Sequence, residues 1–293
     1  MTDLLALRSG DLELDLAPAV GGSVAGFRLR RGDRAEPLFR ESRLPYSDVL
    51  QSASYPLVPF SNRVRDGRFT FRGREVRLSP NLQPQPHPLH GQGWRGAWSV
   101  ASAGEASAEL RFRHEPDEWP WAYEAVQRFG LDADGLTLVL SATNTSDEEM
   151  PCGLGLHPYF PSNPETVLEV ETKDVWTIDE EVMPVERQDP VGRYDLRRRR
   201  IDAADLDNGY EGWGGQATIT WPDRSLTLRF SSPDATRFQV YSPPEGGVFV
   251  AEPVTNRNDV FAYPEEQWPE LGVRILAPGE TTSLTTRFEV VTR

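Results

Sequence analysis

Four histidines stand in this chain: His87, His90, His114 and His157. His87 and His90 share the segment Pro86-His-Pro-Leu-His-Gly-Gln-Gly-Trp94, and His157 sits in Cys152-Gly-Leu-Gly-Leu-His-Pro-Tyr-Phe-Pro161. Both segments are bounded by Gly and Pro, residues that bend the backbone at strand ends and present side chains to a cleft. An imidazole titrates near neutral pH and serves as a general acid or base. A hydrogen-bonded structural histidine is the ordinary alternative for each. Carboxylates are too many to choose among by composition, since Asp and Glu number 45. Glu252, in Gly247-Val-Phe-Val-Ala-Glu-Pro-Val-Thr-Asn-Arg257, is set apart by its place at the end of an apolar run and before a proline. Partial desolvation there raises its basicity; an exposed loop glutamate is the plain alternative.

Other chemistries find less support. A zinc site needs three or four ligands, usually with a closely spaced pair. His87 and His90 are three apart, but Pro88 breaks helical presentation and no second pair follows. Gly-x-Ser-x-Gly and phosphate-loop motifs are absent, so the expectation is no metal and no cofactor. Basic residues number 31 against those 45 acids, for a net charge of −14. A field of that sign opposes nucleic acid and anionic membrane surfaces. No apolar stretch approaches the 18 or so residues of a membrane span. Cys152 is the single cysteine, so no intrachain disulfide framework exists. The first residues, from Met1 to Arg8, show no basic-then-apolar leader. The expectation is a cytoplasmic globular protein.

The elements that must position these groups read as strands. Leu12, Leu14 and Leu16 alternate, as do Leu136, Leu138 and Leu140 after an Asp134-Gly135 turn. Phe69 to Phe71 and Val76 to Leu78 flank Arg72-Gly73-Arg74 as a hairpin. Further strands are expected over 108–112, 167–170, 217–221, 226–230, 238–241 and 284–291. No apolar repeat of helical period is sustained. Gly 24 and Pro 25 are spread throughout, with no composition break, so residues 1–293 read as one domain. Many short strands in a chain of 293 residues indicate a large β-sandwich or barrel. The four-arginine run Arg197 to Arg200 lies among acids and reads as a solvated loop.

Several segments together resemble the aldose 1-epimerase (galactose mutarotase) family. They are Ser61-Asn62-Arg63-Val64 with Gly67-Arg-Phe69, Leu78 to Asn81, Leu89-His90-Gly91, Gly155-Leu-His157-Pro-Tyr-Phe160 and Glu252-Pro253. The resemblance implies an all-β fold, a large antiparallel β-sandwich of the galactose mutarotase-like supersandwich type, with a sugar cleft on a concave sheet face. It implies that Glu252 is the general base taking the proton from the anomeric hydroxyl. His157 is then the general acid at the ring oxygen, and His90, Arg63 and Asp207 bind the monosaccharide. Hemiacetal opening needs both proton transfers, and a carboxylate with an imidazolium suits them at neutral pH.

Two segments depart from the commoner pattern: Gln92 follows Leu-His-Gly where a second glycine is frequent, and Val254-Thr-Asn-Arg-Asn-Asp-Val260 follows Glu252-Pro253. Both loops are candidates to line the cleft and tune the substrate. Trp119-Pro120-Trp121 is either an aromatic platform for a sugar or part of the core. The reading is a mutarotase acting on a free aldose. The alternatives are a hexose-6-phosphate 1-epimerase and a non-catalytic carbohydrate-binding or sensing protein.

Overall fold

The computed structural model describes residues 3–42 and 46–292, so the reading of Met1 and Thr2 lies outside the described residues. Two large sheets dominate it. The nine-stranded sheet runs, edge to edge, Arg199–Arg200, Val167–Val170, Gln216–Trp221, Leu226–Ser231, Thr281–Thr292, Gly135–Asn144, Tyr123–Leu131, Ser107–His114 and Ser99–Ala103. The eight-stranded sheet runs Pro184–Gln188, Asp174–Ile178, Leu206–Glu211, Arg237–Ser242, Val248–Val254, Gly155–Leu156 and Pro56–Leu57, with Tyr159–Pro161 also pairing on Val248–Val254. The registered strand pairs are antiparallel. A separate four-stranded sheet holds Leu5–Ser9, Leu12–Ala17, Ser23–Arg31 and Arg34–Pro37. No helix of the described residues is long and apolar enough to cross a membrane.

The two large sheets are joined by aromatic rings. Phe160 and Phe238 from the eight-stranded sheet meet Phe230 of the nine-stranded sheet at 5.8 and 6.0 Å between ring centroids, and Phe230 meets Phe288 at 5.5 Å. Period-2 alternation then decides what the opposite face carries. In Val248–Val254 the core takes Phe249 and Ala251, which leaves Glu252 pointing away from it. In Arg237–Ser242 the core takes Phe238 and Val240, which leaves Gln239 and Tyr241 beside Glu252. The architecture is a sandwich rather than a barrel because these two faces pack on each other instead of closing on themselves.

The expected strands are present. The hairpin is tighter than expected: Phe71 pairs with Arg74, so the loop is Arg72-Gly73 alone, both at positive φ. That two-residue geometry suits the right-handed twist of the flanking strands. The arginine run is not wholly loop, since Arg199–Arg200 forms an edge strand on Val167–Val170, while Arg197 pairs with Asp195 at 2.7 Å.

Candidate active site

Strand register assembles the site. Gln239 lies opposite Glu252, and Tyr241 lies opposite Asp207, so three adjacent strands turn Asp207, Gln239, Tyr241 and Glu252 to one face. Over that face fold the Asn62-Arg63 loop and the Leu89-His90-Gly91 loop, bridged at Arg63 and Leu89. The result is a solvent-open cleft of about 210 Å³ whose walls include all five expected residues: Arg63, His90, His157, Asp207 and Glu252.

Within it, His157 Nε2 stands 3.5 Å from Glu252 Oε1. Glu252 Oε2 and His157 Nδ1 have no partner. The His157 ring is held by stacking on Tyr55, 4.4 Å away and nearly parallel, and by Tyr159 at 4.7 Å. Arg40 lies over Tyr159, 3.4 Å from the ring centroid. Arg63 Nη2 approaches Asp207 Oδ2 at 3.5 Å, and Gln239 donates to Asp207 Oδ1 at 2.8 Å. The Asn62 backbone N–H donates to His90 Nδ1 at 3.0 Å. Neutral His90 therefore carries its proton on Nε2, as a donor.

Burial sets the proton positions. It pushes His157 down to about 3, with the Arg40 guanidinium adding to the effect. It lowers His90 well below the usual imidazole range, helped by His157 and Arg63. It raises Glu252 well above the usual carboxyl range, with Asp207 adding to it and Arg63 opposing. Burial thus favours a neutral imidazole on His157 and a protonated carboxyl on Glu252 over the imidazolium and carboxylate pair. Both arrangements share a single proton, so they differ only in where it sits.

This has a measurable effect on stability. Above its ordinary value Glu252 ionises when unfolded but keeps its proton when folded, so the folded state binds more protons. Stability from this group therefore falls as pH rises. Glu252→Gln removes the effect. The unfolding free energy of the variant is expected to gain on that of wild type as pH rises above the usual carboxyl range, by at most about 1.4 kcal/mol per pH unit. Parallel profiles of unfolding free energy above that range would contradict it.

The sequence model for Aldose 1-epimerase matches residues 3–289. The chain belongs to the aldose 1-epimerase family. The uncharacterized protein YphB of Escherichia coli K12 is 34% identical over 296 residues, covering 96% of each chain. A crystal structure of a candidate aldose 1-epimerase from Escherichia coli K12 superposes with a TM-score of 0.90 at 31% identity, covering 99% of both chains. A galactose mutarotase-like protein from Clostridium acetobutylicum shares the fold, with a TM-score of 0.87 at 17% identity over 99% of this chain and 95% of that one.

The segments that carry the family resemblance are tied together by the stretch after Glu252. Asn256 accepts from the Ser61 N–H at 3.0 Å and donates to Ser61 O at 3.1 Å. Asn258 accepts from the Arg63 N–H at 3.0 Å, and Asp259 pairs with Arg65 at 2.9 Å. The Val254 to Val260 stretch therefore fastens the Arg63 loop and does not line the cleft beyond it. Gln92 is also outside the cleft; its Oε1 accepts from Tyr123, and it faces a separate cavity on the other side of the loop. Gly91 fits its place because a Cβ would lie 2.3 Å from Val58 O, and its φ is +71°. Gly91→Ala is expected to cost at least about 1–3 kcal/mol. A denaturation midpoint unchanged from wild type would refute that.

Two histidines serve structure. His87 Nδ1 accepts from the Asp66 N–H at 3.1 Å, and His114 Nε2 meets Trp119 O at 2.9 Å. Trp119 and Trp121 are core residues, buried to 0% and 1% exposure and packed on Phe60 and Phe71, so they form no sugar platform. Trp94, against Tyr55 at 5.5 Å, is the tryptophan that lines the cleft. Tyr55, Tyr159, Gln239 and Tyr241 were not singled out as cleft residues. A signal existed for Gln239: a buried amide within the apolar run Phe238 to Tyr241 needs a polar partner. Among the described residues no three of His, Cys, Asp and Glu converge as a metal site.

Proposed function

We propose that this chain interconverts the α and β anomers of an unphosphorylated aldose, with Glu252 as general base and His157 as general acid. The observation that carries the reading is the Glu252–His157 pair, 3.5 Å apart across a cleft that also holds Arg63 and Asp207. The anomeric oxygen and the ring oxygen are bonded to the same carbon, so the groups serving them must stand close together. These two do, at 3.5 Å.

In the working form the shared proton sits on His157. Arg63 favours that form by stabilising the Glu252 carboxylate. Glu252 takes the proton of the C1 hydroxyl while His157 protonates the ring oxygen, and the C1–O5 bond breaks to give the open-chain aldehyde. Rotation about C1–C2 presents the other carbonyl face. The C5 hydroxyl then attacks C1 and gives its proton back to His157, while Glu252 returns its proton to the carbonyl oxygen. The pair ends with the proton count it began with. Neither step calls for a metal or a nucleotide. Asp207 accepts from sugar hydroxyls, while Arg63 and His90 Nε2–H donate to them.

Polarimetry or NMR saturation exchange on freshly dissolved α-glucose and α-galactose tests this reading. Acceleration proportional to protein concentration is expected; sugar binding without acceleration would make this a binding protein. Among the described residues Arg63 is the single guanidinium lining the cleft, faced by Asp207 and Glu252. A phosphate dianion there meets like charge, which costs several kcal/mol. We expect kcat/KM for the free hexose to exceed that for its 6-phosphate by about tenfold or more. A preference for the phosphate would reverse the substrate assignment.

A further inference from the structure

Beyond Asn62 and Gln239, the same sheet face continues into a second cavity. Its floor is the next set of residues along the strands, Glu211, Arg237 and Val254, on the opposite side of Glu252 from Tyr159. Arg257 closes it. This guanidinium is clamped between two rings, 3.8 Å from the Trp176 centroid and 4.4 Å from that of Tyr263. Arg257 is 6% exposed, and its Nε and Nη2 have no hydrogen-bond partner.

Those two nitrogens lie on one edge of the guanidinium, where their N–H bonds form the parallel fork that matches a carboxylate. A buried, unpaired charge is costly, so the fork calls for an anion or ordered water. The neighbouring carboxylates are committed elsewhere. Glu211 pairs with Arg237 at 2.9 Å and accepts from Trp176 Nε1 at 3.2 Å, and Asp259 pairs with Arg65. The cavity walls thus carry two guanidinium cations against one carboxylate, a surplus of one positive charge. Free space there is about 20 Å³, of the order of one ordered water. A small planar head with a single negative charge fits that surplus better than a tetrahedral dianion.

We propose that the Nε–Nη2 edge of Arg257 is a binding site for a carboxylate monoanion, adjoining the sugar cleft. The carboxylate is either a free small acid or a substituent on the sugar ring away from C1 and the ring oxygen; only the second source rests on the proposed mutarotase reading. The clamp supplies the readout. Trp176 packs on Arg257, so acetate, titrated at fixed ionic strength, is expected to change the tryptophan fluorescence and shift the Arg257 Nε–H resonance of the wild type, with a Kd of roughly millimolar order. Trp176→Phe should abolish the optical signal while calorimetry still detects acetate. Arg257→Lys keeps the charge without the fork and should weaken acetate at least about tenfold; Arg257→Gln should abolish binding.

The second arm compares kcat/KM for an aldose with that for the same aldose bearing a carboxymethyl ether remote from C1. A gain for the ether that disappears in Arg257→Gln assigns the carboxylate to the substrate. Acetate binding with no such gain assigns it to a free acid. If wild-type protein shows neither an acetate response nor an ether preference, the proposal is overturned and water fills the fork. The acetate arm requires no turnover, so failure of anomer exchange alone leaves the carboxylate site standing.

Discussion

Glu252→Gln is expected to lower kcat for anomer exchange by about 10²–10⁴-fold, the usual worth of a positioned acid or base. The substitution keeps the length and shape of the side chain, so the packing of Val248–Val254 against Arg237–Ser242 is preserved. It removes the ability to hold and release a proton. Sugar affinity should change far less, because Arg63, His90 and Asp207 remain in place around the cleft. Saturation transfer gives the exchange rate and calorimetry the affinity. A variant with near-normal kcat would show that Glu252 is not the base. The same variant is expected to be relatively more stable at alkaline pH, as argued above, so lost activity would not be explained by unfolding.

His157→Asn is expected to produce a loss of similar size, about 10²–10⁴-fold in kcat. Asparagine leaves a polar group near Glu252 but cannot deliver a proton to the ring oxygen. It also gives up the stacking on Tyr55, so the melting temperature should be measured alongside. The decisive comparison is the double variant. Glu252 and His157 stand 3.5 Å apart; if they act as one unit on two oxygens of one carbon, as proposed, the losses should fall well short of multiplying. Fully multiplicative losses would mean two independent steps and would remove the concerted exchange. Retained activity in His157→Asn would point to another acid in the cleft, with His90 next to be tested.

The sequence by itself determined which segments form strands, wherever one face is buried and the other wet. Leu12, Leu14 and Leu16 show it, as do the alternating leucines of Gly135–Asn144, because a period of two is visible in types alone. Ser23–Arg31 and Tyr123–Leu131 were missed for the converse reason. Each is buried over much of both faces, and burial on both faces erases alternation. Leu206–Glu211 contains Asp-Asn-Gly, a turn signal in isolation, yet pairing with Arg237–Ser242 makes it a strand.

The identities of the candidate site residues were legible through short local motifs, which tertiary structure brought to one cleft. What only tertiary structure decided is register, anchoring and charge. Asp207, Gln239 and Glu252 share a face because three strands between residues 206 and 254 pair in one particular alignment, and a one-residue slip would turn any of them into the core. The Arg63 loop is fixed by Asn256 and Asn258, nearly two hundred residues away. No local pattern reports such contacts. The fate of Trp119 and Trp121 was open because a tryptophan pair suits a core and a sugar platform equally until its neighbours are known. The location of the shared proton was likewise open, because it follows from how completely the fold strips water from His157 and Glu252, and desolvation is a property of the assembled cleft rather than of either residue.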